Sequence, residues 1–314
     1  LCSIFLMIGL GGLARRVGVI REEDTARLAR LLTCFLYPSL IYSTFVSSFS
    51  TRSLLASWSL PAGTLMIMGV GFGAGLALCG LLRFRNARTE HAFLFQCTIN
   101  NYAFLPMPLV LFYFGMDGVA NLVLSTLGSE LAVWTLGMFA LSGRRISLRS
   151  LRHLLSVPLL AIGVAVVTIV IRDAVAGVPG ELPLLRSPRI GTLVASLMSG
   201  LELFGQATIP VAMIVAGSRM CRLRPSHIFT RDQIVIVVFR LVLIPGLALV
   251  LLHVLPFTRE VRLILTIVAV MPSAIASVVL NEIYGGDPEF AASSVLITHA
   301  LAMLTVPFWL SFWF

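Results

Sequence analysis

The sequence predicts an all-α polytopic membrane protein with ten transmembrane helices arranged as two inverted five-helix repeats. Three observations lead there. Hydrophobic residues make up 58% of the 314 and charged residues only 12%, about half the charge of a soluble chain, so lipid must be the solvent for most of the surface. Apolar runs of helical length alternate with short breaks of Arg, Gly, Pro and acidic residues. A turn after the fourth run, Tyr113-Phe114-Gly115-Met116-Asp117, returns after the ninth as Ile283-Tyr284-Gly285-Gly286-Asp287, 170 residues later.

In order, the predicted helices are 1–14, 26–48, 57–82, 91–114 and 118–141, then 154–178, 192–218, 232–255, 260–284 and 288–312. The first run is shorter than the ~20 residues a span needs. Because Leu1 stands where an initiator Met would, this run is read as lacking its native beginning and not as a signal peptide. The second and seventh runs carry a proline with polar neighbours, Tyr37-Pro38-Ser39 and Gln206-Ala207-Thr208-Ile209-Pro210, which suits packing or a hinge. The Gly-x-Asp turns after the fourth and ninth runs place Asp117 and Asp287 where they would N-cap the next helix. Five helices is an odd number, so the second copy must enter from the opposite side. The halves are then 1–141 and 154–314, joined by a cytoplasmic linker, 142–153.

A net charge of +9 would suit nucleic acid, but all 23 basic residues are Arg and cluster in the breaks. Cytoplasmic loops retain the arginine excess. The odd loops hold 16: Arg15, Arg16, Arg21, Arg27, Arg30, Arg83, Arg85, Arg88, Arg144, Arg145, Arg149, Arg152, Arg219, Arg222, Arg224 and Arg231. The even loops hold 6 (Arg52, Arg172, Arg186, Arg189, Arg259 and Arg262), with Arg240 left inside a helix. The odd loops are therefore predicted to be cytoplasmic and both termini to lie outside the cytoplasm, in the cell's inner (plasma) membrane. Cys2, Cys34, Cys79, Cys97 and Cys221 lie in or beside apolar runs without metal-ligand spacing and read as small hydrophobes.

The fourth run, Thr98-Ile99-Asn100-Asn101-Tyr102-Ala103-Phe104-Leu105-Pro106-Met107-Pro108, puts two amides and two prolines in mid-span. Each proline removes a donor and clashes with the preceding turn. A broken helix in hydrocarbon is tolerable only when buried in protein or lining a watery cavity; the milder alternative is a kink with amides bonded to neighbouring helices. The ninth run answers with Met271-Pro272-Ser273-Ala274-Ile275-Ala276-Ser277 and, one turn on, Asn281. Interrupted segments in matching places of two halves mark a midplane site, and half-helix N-termini aimed there favour an anionic group. The substrate-binding candidates are Asn100, Asn101, Pro106, Pro108, Pro272, Ser273, Ser277 and Gln206. All five aspartates fall in loops or at helix ends, which argues against an antiporter with paired intramembrane aspartates. Glu130, His299 and Glu202 lie inside helices, and the 170-residue offset brings Glu130 within one position of His299. These three are the coupling candidates, as proton carriers or substrate contacts, with neutral side chains satisfied by a neighbouring helix as the plainer alternative. Arg240 is placed to snorkel, to pair structurally, or to meet an anion. Nucleophile motifs, phosphate loops and metal clusters are missing from the sequence, so no enzyme, cofactor or metal is expected.

These residues resemble the auxin efflux carrier family, which includes bacterial malonate and other dicarboxylate permeases. The resemblance lies in Thr33 to Phe45, in Asn100 to Pro108 leading into Leu109 to Gly115, in Ile209-Pro210-Val211-Ala212 with Gly217-Ser218-Arg219-Met220, and in Met271 through Leu296, nearly the whole chain. It implies scaffold and transport domains, crossing fourth and ninth helices, and elevator-like exchange of substrate. Asn100, Asn101, Pro106 and Pro108 would form the first crossover, with Pro272 and Ser273 in the second, where the family often has a double proline. The function expected is secondary transport of small organic anions, proton-coupled or uniport. The alternatives are a sodium-coupled symporter of bile-acid or keto-acid type, with oxygens from Asn100, Glu130, Ser273 and Gln206, and a membrane sensor of an organic anion. Expected partners are the small organic anion and membrane lipid, not nucleic acid, with a homodimer left open.

Overall fold

The computed structural model describes residues 2–142, 157–176, 188–221 and 230–312. The linker 142–153 lies almost wholly outside them, as do Arg144, Arg145, Arg149, Arg152, Arg186, Arg222 and Arg224. Twelve helices are found among the described residues. They are α1 (Cys2–Arg16), α2 (Glu22–Ser48), α3 (Thr51–Leu81), α4 (Ala87–Thr98), α5 (Pro106–Leu141), α6 (Val157–Ala176), α7 (Pro188–Gln206), α8 (Thr208–Met220), α9 (Arg231–Val254), α10 (Arg259–Ala269), α11 (Ser277–Tyr284) and α12 (Pro288–Leu310).

Seven stretches are long and apolar enough to cross a membrane: α2, α3, α5, residues 157–175 of α6, residues 192–219 across α7 and α8, α9 and α12. The chain is a multi-pass membrane protein. Seven falls short of the ten predicted for physical reasons. Helix α1 has 15 residues, about 22 Å at 1.5 Å per residue. The fourth and ninth runs are each interrupted, leaving α4, α10 and α11 at 12, 11 and 8 residues. The second half of the fourth run and the predicted fifth helix follow one another within α5 as two helices divided at a kink, where Gly115 takes φ 66°, ψ −160°, a conformation open to glycine and strained for other residues; together they make one of the seven stretches.

Local sequence sets the remaining boundaries. Asp287 caps α12 by accepting from the Phe290 N–H at 3.0 Å, as predicted. Asp117 does not repeat this: its carboxylate accepts from the Ser48 hydroxyl at 2.7 Å, tying α5 to the end of α2. Within α2 and α9, π-helical turns at Leu32–Leu36 and Phe239–Leu243 precede Pro38 and Pro245. The residue before each proline, Tyr37 or Ile244, donates five positions back, to Leu32 O or Phe239 O. A proline ring crowds the carbonyl four residues earlier, and a widened turn relieves it.

The core is one large apolar cluster threading α2, α5, α6 and α10 through Ile41, Phe45, Val110, Val119, Ile162, Ile264 and Val268, with smaller clusters beside α4. Helices α1 and α8 approach so closely that a side chain at Gly217 would run into the Ile8 carbonyl, the small-residue packing that replaces hydrophobic drive in lipid. Outward faces carry exposed Leu55, Leu81, Phe112, Val164, Val254 and Leu304, a surface suited to acyl chains.

Candidate functional site

Between α4 and α5, and again between α10 and α11, the chain leaves helical geometry while still deep in protein. The two breaks satisfy each other. Asn100 and Ser273 form an antiparallel bridge, the Asn101 N–H donates to Pro272 O at 2.8 Å, and the Ala274 N–H to Ile99 O at 3.4 Å. Backbone groups that lipid could not serve are thus paired across the halves. Ser273, where a second proline would have no donor, gives its N–H to Thr298 Oγ1 at 3.4 Å.

Side chains complete the join. The Asn100 amide donates to Val268 O. The Asn101 amide faces His299 Nε2 at 3.3 Å, while His299 Nδ1 meets Val295 O at 2.8 Å. A carbonyl only accepts, so Nδ1 bears the ring proton and Nε2 accepts from Asn101. Glu130 is clasped on both oxygens, by Tyr102 OH at 2.9 Å and Trp134 Nε1 at 3.2 Å. The coupling candidates Glu130 and His299 therefore touch adjacent residues, Tyr102 and Asn101, of the first break. Gln96 donates to Ser277 Oγ at 2.9 Å, which fixes the start of α11 against α4.

A cavity of about 280 Å³ opens along this join, walled by Asn100 to Phe104, Ala274 to Ala276, Tyr37, Glu130 and Arg219, with others. A second, of about 310 Å³, shares Arg219 and Ile275 with it and is lined further out by Arg15, Glu22 and Glu282. Arg15 and Glu22 pair at 3.6 Å. Among the described residues Arg219 has no hydrogen-bonding or ionic partner, so its guanidinium stands between two cavities with its donors uncommitted.

Of the predicted site residues, Asn100 and Asn101 line the inner cavity; Pro272 and Ser273 hold its wall through the backbone, and Ser277 through Gln96. Pro106 and Pro108 begin α5, where a missing N–H costs nothing. Gln206 and Glu202 stand on the exposed face of α7 and line neither cavity. Arg240 does not snorkel: it is 1% exposed and bonds the backbone. The reading of the sequence passed over Tyr102, whose hydroxyl beside the amides was the available signal, and treated Arg219 as a topological charge. Among the described residues no group of His, Cys, Asp and Glu could hold a metal ion.

Broken helices that meet inside a multi-pass helical protein, beside a largely apolar cavity with a few polar groups, Asn100, Asn101, Glu130 and Arg219, suit a membrane carrier. The chain belongs to the membrane transport protein family, matched over residues 1–153 and 150–310, the auxin efflux carrier family that its motifs resemble. It is 22% identical over 310 residues to an uncharacterized transporter of Methanocaldococcus jannaschii, covering 98% of this chain and 95% of that one. An uncharacterized transporter of Methanothermobacter thermautotrophicus is 25% identical over the same shares. The protein is a membrane transporter and not an enzyme.

Proposed function

We propose that this transporter moves small organic anions, carboxylates above all, across the inner membrane by an elevator-type exchange, as a proton-coupled carrier or a uniporter. One observation carries the reading: the inner cavity is bounded by both broken segments and by the uncommitted cation Arg219. The N-terminal ends of α5 and α11 begin just beyond its wall, and their partial positive charge adds to the attraction for an anion. A volume of about 280 Å³ lies at the foot of the ~300–1,000 Å³ typical of drug-sized ligands, which favours a small substrate.

The ten-helix plan, with halves 1–141 and 154–314 and crossing fourth and ninth helices, is supported by the helix boundaries. The ends of α4 and α10, at 98 and 269, and the starts of α5 and α11, at 106 and 277, are each 171 residues apart. The arginine distribution supports outward termini. Melting curves of the purified protein against a panel of mono- and dicarboxylates should rise for the true substrate class; if none does, and liposomes take up none, the reading fails. A sodium-coupled alternative draws on the buried Asn100 Oδ1 and Ser273 Oγ, which have no hydrogen-bond partner. Uptake that requires Na⁺ would favour it.

A further inference from the structure

The carbonyl ends of α4 and α10 converge on a single side chain. Arg240 projects from the π-helical turn of α9, with Nη1 on Cys97 O at 3.1 Å and Nη2 on Ala269 O at 3.2 Å. Cys97 lies in the last turn of α4 and Ala269 is the last residue of α10. Among the described residues Arg240 has no carboxylate partner. A buried charge left in that condition is costly, so the helix ends themselves must neutralise it. Each helix C-terminus carries roughly half a negative charge, so two facing ends match one guanidinium.

We propose that Arg240 is a resident counter-cation: it fills, from within the chain, the role that a bound monovalent cation would have between these carbonyl ends. This deepens the reading given above by making the carrier's cycle independent of Na⁺. A second cation beside a buried guanidinium would meet repulsion in a low-dielectric setting, so the oxygens of Asn100 and Ser273 are not a sodium site while Arg240 is in place.

The test uses the full chain in detergent and in liposomes, with N-methylglucamine, Na⁺ or millimolar methylguanidinium as the chloride salt. Wild-type melting and uptake should be the same in all three. Arg240→Ala should melt several degrees lower and regain most of the loss, saturably, with methylguanidinium or Na⁺; Arg240→Lys should keep most of the stability without added cation. A folded Arg240→Ala protein that melts like wild type, or responds to neither cation, overturns the proposal. If Arg240→Ala does not fold, the decision passes to Arg240→Lys and the wild type: a stable lysine variant with Na⁺-indifferent wild type upholds the proposal, and Na⁺-dependent wild-type melting or a lysine variant that also fails overturns it. Melting does not involve the substrate, so a protein that binds no carboxylate yet shows the cation rescue refutes the substrate reading alone.

Discussion

Glu130 is held by two donors, Tyr102 and Trp134, and lines the inner cavity. A glutamine there keeps the shape and an acceptor but cannot exchange a proton. Glu130→Gln should therefore preserve substrate binding while removing the response of uptake to an imposed pH gradient, and full pH-driven uptake would make Glu130 a packing residue. His299→Asn is the companion variant; Glu202→Gln, on the exposed face of α7, should change neither. Arg219 tests the anion preference. A hydrogen bond to a charged group is worth about 1.5–3 kcal/mol, so Arg219→Gln should raise the substrate concentration for half-maximal uptake by about tenfold or more, with Arg219→Lys close to wild type. The amides and prolines of the breaks were legible because proline excludes helix on steric grounds and a buried amide demands a partner. The place of Arg219 between two cavities was not, because it depends on packing, and the choice among pairing, snorkelling and anion contact for Arg240 stayed open because a carbonyl partner 143 residues away leaves no mark on local sequence. For Gln206, polarity beside a proline did not reveal that it stands on the exposed side of α7.

At the scale of elements, arginines donate to backbone carbonyls at or just past helix ends. Arg172 on α6 donates to Val46 O at 2.6 Å and Phe49 O at 2.7 Å at the end of α2, and Arg262 donates to Leu255 O and Phe257 O just past α9. Next to Arg172, Asp173 accepts from the Thr51 N–H at 2.6 Å and hydroxyl at 2.9 Å at the start of α3. One Arg-Asp pair on α6 thus fastens the whole turn between α2 and α3. Arg172→Met should cost about 1–3 kcal/mol through the orphaned carbonyls, read as a lower melting temperature, with Asp173→Asn milder because its amide oxygen still accepts. The sequence counted Arg172 and Arg262 for topology alone; their capping depends on which helix ends meet, a matter of packing. Helix existence was legible nearly throughout from hydropathy. The division of α5 at Gly115 was legible too, because a glycine in a turn pattern supplies the positive φ that ends one helix and lets the next begin.

The whole molecule has a predicted orientation and two halves that complete one another. Exposed Arg85 lies before α4 and exposed Arg259 begins α10. Arg85→Cys should react with an impermeant thiol reagent only from the cytoplasm, and Arg259→Cys only from outside; the reverse would invert the topology derived from arginine counts. The mutual pairing of the two breaks also bears on how the chain is made. When a ribosome has finished residues 99–105, the groups that will meet them, Pro272 O and the Ala274 N–H, are still about 170 residues from being synthesised, roughly 10–30 s at ordinary translation rates. During that interval the first break has backbone groups that hydrocarbon cannot satisfy, so α4 has reason to wait at the membrane surface or in the translocation machinery until its counterpart arrives. A chain stopped after Leu141 should leave a cysteine introduced at Ile99 open to a water-soluble thiol reagent, while in the full chain, where Ile99 is buried and lines neither cavity, the same cysteine should be protected; biogenesis of this carrier would then end with the closing of a joint between its two halves and not with the insertion of its last helix.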